Sequence, residues 1–196
     1  MKVLVLDNFD SFTYNLVDYF RSLGSEVCVI RNTATVERIK SELFDVLVLS
    51  PGPALPKDSG NLMEVIDMFH QQKPILGVCL GHQALAEYFG GELENIMPMH
   101  GKAVELQHDG KGVFWGLEQD IEVARYHSWA VAKVPGVMKA SAYSRDGVVM
   151  GIRHQRLPIE GVQFHPESVL TMRNNVGIRM IQNIVSGKLE AELREV

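Results

Sequence analysis

Three short segments of this sequence carry residue types that can do chemistry. The first is Gly77-Val78-Cys79-Leu80-Gly81-His82, which follows an apolar run and precedes a helical pattern. Glycines on both sides of the cysteine let the chain turn sharply, so residue 79 is expected to project from a strand end in a strained conformation. A helix starting there lowers a thiol pKa through its positive end and offers backbone N–H groups to an oxyanion. A buried structural cysteine is the plainer alternative. Cys28, in its Val-Cys-Val setting, is read that way, buried in a strand and inert.

A thiol nucleophile needs a base, and the base needs an acceptor that orients it. The second segment, Gly161-Val162-Gln163-Phe164-His165-Pro166-Glu167-Ser168, holds both types. His165 and Glu167 are separated by one residue, so on an extended chain both side chains leave the same face, and Pro166 stiffens the spacing. His70, His108 and His154 read as core or surface histidines, and His100 has no assigned role. No His-x-His, His-Glu-x-x-His or Cys-x-x-Cys spacing occurs, so neither a metal nor a cofactor is expected. The third segment, Ser50-Pro51-Gly52-Pro53-Ala54, reads on its residues alone as a turn between strand and helix. It also ends a strand, where ligands of open parallel sheets bind, so it should share a crevice with residue 79. The Gly52 N–H would then be a second oxyanion donor beside that of Leu80.

These segments need a scaffold, and the hydrophobic pattern supplies one. Val3–Leu6, Val27–Ile30, Val46–Leu49 and Ile75–Val78 are apolar runs of the kind buried on both faces of a sheet. Between them lie helical patterns. Asp10 or Ser11 caps the first, with Phe12, Leu16, Tyr19, Phe20 and Leu23 on one face and Gly24 as its stop. Thr35–Leu43 places Val36, Ile39 and Leu43 inward, and Asn61–Gln71 places Leu62, Ile66 and Phe69 inward. From Gly91 to Phe164 the helical period disappears. Ile121–Arg125, Ser128–Ala132, Val148–Ile152 and Ile159–Phe164 read as antiparallel strands that extend the sheet or form a small second layer. A last helix over Asn175–Val185 turns Ile178, Ile181 and Val185 inward, with Gly187 as its stop; Lys188–Val196 adds a turn or frays. The expected class is α/β: a mainly parallel open sheet with helices on both faces, plus an antiparallel strand-rich extension in the second half.

Composition narrows the partners. The 196 residues carry 19 basic and 24 acidic side chains, a net charge of −5, and no basic run that would bind phosphates, so nucleic acid is not expected. A hydrophobic share of 46% with 22% charged residues is that of an ordinary globular protein, read as one domain over residues 1–196. The apolar run at the N-terminus is broken by Asp7, Asn8 and Asp10, and no stretch approaches the ~20 apolar residues of a membrane helix. Two cysteines make no disulfide framework, so a reduced, cytoplasmic protein with no membrane contact is expected.

Taken together, the segments resemble the class I glutamine amidotransferases. The likeness rests on Pro51-Gly52-Pro53, on Gly77-Val78-Cys79-Leu80-Gly81-His82-Gln83 and on Val162-Gln163-Phe164-His165-Pro166-Glu167-Ser168, in order along the whole chain. Asp7-Asn8-Phe9-Asp10-Ser11-Phe12-Thr13-Tyr14-Asn15 and Arg125-Tyr126-His127-Ser128 look like the glutaminase subunits of anthranilate synthase and aminodeoxychorismate synthase. The resemblance implies Cys79 as nucleophile, His165 as base and then acid, and Glu167 as its orienter. It implies an oxyanion hole of Gly52 and Leu80. Glutamine would lie against Gly52, Pro53 and Ala54, its α-amino and carboxylate ends held by Gln83 and the backbone of Ser128 and Trp129. The implied partner is a synthase subunit that uses chorismate, anthranilate-forming first and aminodeoxychorismate-forming second.

The family usually has Gly at Ala54 and often Leu at Trp129, and Met172-Arg173-Asn174-Asn175 lacks a Gly that Asn can replace in the left-handed conformation. Two other classes stand as alternatives: a free-standing cysteine hydrolase of γ-glutamyl compounds, and a catalytically silent binding module. The intact trio Cys79, His165 and Glu167 speaks against silence.

Overall fold

Runs that are apolar on both faces must be covered on both, and the four foreseen runs become adjacent strands. A computed structural model describes residues 1–99, 101–171 and 173–191; His100, Met172 and the last part of the expected C-terminal turn, 192–196, lie outside the described residues. The first half runs β1 (Lys2–Asp7), α1 (Thr13–Ser22), β2 (Glu26–Arg31), α2 (Val36–Lys40), β3 (Val46–Leu49), α3 (Leu62–Phe69), β4 (Ile75–Val78) and α4 (Leu80–Tyr88). These strands are parallel in the order β2-β1-β3-β4. The chain therefore moves to one side of β1 and then to the other, which opens a crevice beyond the carboxyl ends of β1 and β3.

The second half contains β5 (Glu92–Asn95), β6 (Lys102–His108), β7 (Ile121–Arg125), β8 (Trp129–Lys133), β9 (Met138–Ser144), β10 (Val149–His154), β11 (Ile159–Val162), α5 (Val176–Val185) and α6 (Lys188–Ala191). One nine-stranded sheet has the order β2-β1-β3-β4-β11-β10-β9-β6-β7, and β5 pairs only with β8 in a separate antiparallel ribbon. Extension and second layer thus coexist. One expectation needs correction: β11 is antiparallel to β10 but parallel to β4, so it continues the parallel sheet. All four of its residues are buried, as for its parallel neighbours.

Alternation along β1 divides the core. Val3 and Val5 face a cluster with Leu16, Phe20, Met180 and Ile181 of α1 and α5. Leu4 and Leu6 face the other, with Ile39, Leu62, Ile66 and Leu85 of α2, α3 and α4. Helix α1 begins at Thr13, with Phe12 at its cap position and no side-chain bond there. Asp10, expected as the cap, lies two residues earlier in a turn where its Oδ1 accepts the Phe12 N–H at 2.8 Å, and Gly24 ends the helix at φ +81°. The second helix is shorter than the pattern predicts. It stops at Lys40, and Leu43, expected inward, is 82% exposed. Phe44 takes the core position instead, its ring edge-on to Phe69. Asn174 and Asn175 adopt φ of 56° and 58° before α5, the left-handed role that asparagine can fill. No helix among the described residues is long and apolar enough to cross a membrane.

Two buried polar features stand out: one braces the second half, and the other joins it to the first. Arg153 of β10 donates through Nε to Glu160 of β11 at 2.8 Å and through Nη1 to Asp109 at 2.6 Å, and Glu160 also accepts the Val113 N–H. His82 of α4 is fully buried, with the Gly161 backbone against its ring. Burial first, and the nearby His127 second, push its pKa from 6.5 down to about 3, with only the Gly161 backbone opposing.

The unfolded chain therefore takes up a proton on this ring below about pH 6.5 that the folded chain refuses until about pH 3. Stability should fall with pH across that window, by up to about 1.4 kcal/mol per pH unit from this one ring. His82→Leu removes the titrating group, so urea midpoints measured from pH 6.5 to pH 4 should decline less steeply than in the parent. Equal slopes would mean that the ring is protonated or hydrated in the fold.

Candidate active site

Strand β4 passes into helix α4 through a single residue, Cys79, at φ 51° and ψ −98°. That conformation costs an L-residue about 1–2 kcal/mol and needs packing to enforce it. The flanking glycines act by close approach. A Cβ on Gly77 would lie 2.5 Å from the Gly81 carbonyl, and one on Gly81 would lie 2.4 Å from the Leu49 oxygen. With strand and helix pressed together, the strain falls on the cysteine, whose N–H is held by the Val162 oxygen at 2.8 Å. Cys28, by contrast, is only half-buried, because β2 is an edge of the sheet and not an interior strand. Burial and then Glu42 raise its thiol pKa, with Arg38 opposing.

His165 reaches the site beyond β11. Its N–H donates to the Ala124 oxygen at 3.2 Å, and the Thr171 hydroxyl donates to its carbonyl at 2.7 Å. Phe12 and Tyr126 each meet its ring edge-on with centroids 5.1 Å away. Nδ1 lies 2.7 Å from Glu167 Oε1, so the one-residue spacing does bring both side chains to one face. The other ring nitrogen is left for Cys79. Burial alone would lower the imidazole pKa, but hydrogen bonds to Cys79 and Glu167, reinforced by their charges, hold it well above its usual value. The Glu167 side chain is itself buried, and its Oε2 has no donor among the described residues. A thiol, an imidazole that favours its cation and a buried carboxylate thus stand in series.

The loop after β3 meets the start of α4 at Gly52. It packs so tightly that a Cβ there would come within 2.4 Å of Leu80 Cδ2 and 2.8 Å of Asn8 Cβ. Neither the Gly52 nor the Leu80 N–H donates to a protein acceptor among the described residues. Ala54 is outside the left-handed region, so its side chain adds no backbone strain to the loop. Pro53 and Ala54 are exposed beside Gly52.

Gln83, Ser128 and Trp129 also converge. Gln83 Nε2 donates to the Trp129 carbonyl at 2.9 Å and to Gln163 Oε1 at 3.2 Å, while Gln163 Nε2 approaches Cys79 Sγ at 3.7 Å. The Ser128 carbonyl accepts the Ile96 N–H, which joins this segment to the edge of the ribbon. His127 completes the group. Arg125 Nε donates to its Nε2 at 3.2 Å, so its proton resides on Nδ1 and goes to the Trp129 carbonyl at 2.9 Å. Burial, followed by the Arg125 cation, pushes the His127 pKa down to about 4, and His165 adds to the effect.

Sequence reasoning gave no role to Arg125, His127 or Gln163, nor a side-chain role to Asn8 or Ser50. Arg125 carries a readable signal. It shares the inward register of β7 with Ile121 and Val123, and an arginine in that register needs a buried acceptor or a bridge to the surface. Here Nη1 reaches Asp146 at 2.9 Å.

A family model described as glutamine amidotransferase class-I matches residues 4–183. Anthranilate synthase component 2 of Methanocaldococcus jannaschii is 45% identical over 194 residues, which cover 95% of this chain and 98% of that one. Aminodeoxychorismate/anthranilate synthase component 2 of Bacillus subtilis is 44% identical over 187 residues, covering 93% and 95%. The fold also matches a crystal structure of a Thermoplasma acidophilum protein described as a candidate component of GMP synthase. The TM-score is 0.85 at 27% identity, over 100% of this chain and 96% of that chain. Motif order, fold and full-length similarity agree, and the chain belongs to the class-I glutamine amidotransferase family.

Proposed function

We propose that this protein is a glutaminase subunit that hydrolyses L-glutamine through Cys79, His165 and Glu167 and passes ammonia to a chorismate-using synthase subunit. The observation that carries the reading is geometric: Cys79 stands alone at a strained strand-to-helix elbow, and His165, on the neighbouring chain segment after β11, has Nδ1 2.7 Å from the buried Glu167 Oε1. The Cys79 thiolate attacks the side-chain amide carbon of glutamine. The oxyanion that forms is held by the N–H groups of Gly52 and Leu80, each such donor typically worth ~3–4 kcal/mol of barrier. His165 protonates the leaving ammonia, which leaves a γ-glutamyl thioester on Cys79. Water, deprotonated by His165, then attacks the thioester and releases glutamate, and the sulfur leaves as thiolate.

Gln83 and the backbone of Ser128 and Trp129 would hold the α-amino and carboxylate ends of the substrate, with Gly52, Pro53 and Ala54 along its side chain. The names of the relatives support an anthranilate-forming and an aminodeoxychorismate-forming partner alike, and the anthranilate-forming one is the reading put first. A cytoplasmic setting suits a reduced catalytic thiol. The free-standing hydrolase is the second reading. What favours it is that, among the described residues, no protein acceptor withdraws the Gly52 or the Leu80 N–H.

Three measurements test these roles. A glutamine-derived diazo or chloro ketone should label Cys79 and leave Cys28 unmodified in peptide mass maps; labelling of Cys28 would sink the nucleophile assignment. His165→Ala should abolish glutamine-dependent synthesis by the complex and leave ammonia-dependent synthesis near wild type, with Glu167→Ala milder. Loss of the ammonia-dependent rate as well would make His165 structural. Adding chorismate together with the synthase partner should raise kcat/KM for glutamine at least tenfold, and equal rates would favour the free-standing hydrolase.

A further inference from the structure

A buried polar network outside the triad lies beside the Pro51–Gly52 peptide. Ser50 directly follows β3 and is fully buried; Asn8 and Asn32 beside it are 2% and 3% exposed. The Ser50 Oγ accepts the Asn8 N–H at 2.8 Å and lies 2.8 Å from the Pro51 carbonyl oxygen. A hydroxyl has one proton to give. With the Asn8 N–H on one lone pair, that proton goes to the Pro51 carbonyl, the single acceptor recorded for it among the described residues. Asn8 is itself anchored, its Nδ2 donating to the Ser50 carbonyl at 2.8 Å and its Oδ1 accepting from Asn32 at 3.0 Å. Asn32 in turn donates to the Ser59 carbonyl at 3.0 Å.

We infer that Ser50 is a positioning residue whose hydroxyl sets which way the Pro51–Gly52 peptide faces. The carbonyl and N–H of one trans peptide point in opposite directions. Binding the Pro51 carbonyl inward on Ser50 therefore turns the Gly52 N–H away from the buried network. If the peptide turned over, the Gly52 N–H would face the same Oγ and be withdrawn from any oxyanion. The hydroxyl proton would then have no acceptor, a cost that a buried donor resists. Asn8 thus biases the peptide by occupying the lone pair, and Ser50 converts that bias into a facing. The inference rests on the reading of Gly52 as an oxyanion donor and adds the group that controls it.

The test is glutamine hydrolysis by the complex, with Ser50→Ala beside the parent and iodoacetamide alkylation of Cys79 as control. Alkylation needs the thiolate and no oxyanion hole. Ser50→Ala should lower kcat at least tenfold, toward the roughly 10²–10³ that one oxyanion donor carries. KM should change less than about threefold and the alkylation rate should hold, because substrate binding and thiolate are untouched. Ser50→Cys fills similar space with a weaker donor and should fall between the two; alkylation is then mapped to Cys79 by peptide. It carries the test alone if Ser50→Ala does not fold. An unchanged kcat in the folded variant overturns the inference, as does a fall of kcat and Cys79 alkylation together, which would mark a merely structural residue. A parent complex that releases no glutamate would instead overturn the glutaminase reading itself.

Discussion

The contact between the backbones of Gly77 and Gly81 is the constraint on which the rest depends. Strand β4 and helix α4 meet with one residue between them, and the approach leaves no space for a side chain on either glycine. The elbow forces Cys79 to φ 51° and sets its thiol at a helix start. It also presses Gly81 against Leu49 of β3, so the loop that follows β3 is held in register with Cys79. The strain is offset by the fully buried strands β3, β4 and β11 around it.

Electrostatics then separates two neighbouring histidines. His165 is held toward its cation by Cys79 and Glu167, whereas His127 is held neutral by burial and the Arg125 cation. Each state reinforces the other, because a charged His165 disfavours a second charge on His127. The consequence is a division of labour. One ring can move protons, and the other is fixed as a donor to the Trp129 carbonyl.

Much of this was legible before any coordinates. The four parallel strands of the first half, the stops at Gly24 and Gly187, and the same-face geometry of His165 and Glu167 follow from patterns of two, three and four residues. What was not legible depends on distant partners. Leu43 fits the helical period, but Phe44 fills the space against Phe69. β11 looked like its antiparallel neighbours because direction is set by pairing to β4 and not by local residues. β5, mostly exposed and charged, pairs among the described residues with β8 alone, and so lacks the apolar run that marks a strand. The side-chain roles of Ser50 and Asn8 arise from a hydrogen bond spanning 42 residues, which no local pattern records.

The insertion of β11 between β4 and β10 bears on synthesis. Gln163, just after β11, and Cys79 are 84 residues apart in the chain. At ~5–20 residues per second, that distance is roughly 4–17 s of translation. During that interval β1 to β4 and their helices can assemble, but the far side of β4 remains an unpaired parallel edge of buried-type residues, the kind of template on which nascent chains associate. Arrival of β11 closes the edge and brings His165 to the elbow that carries Cys79 in the same event, so protection from association and assembly of the candidate site are timed together.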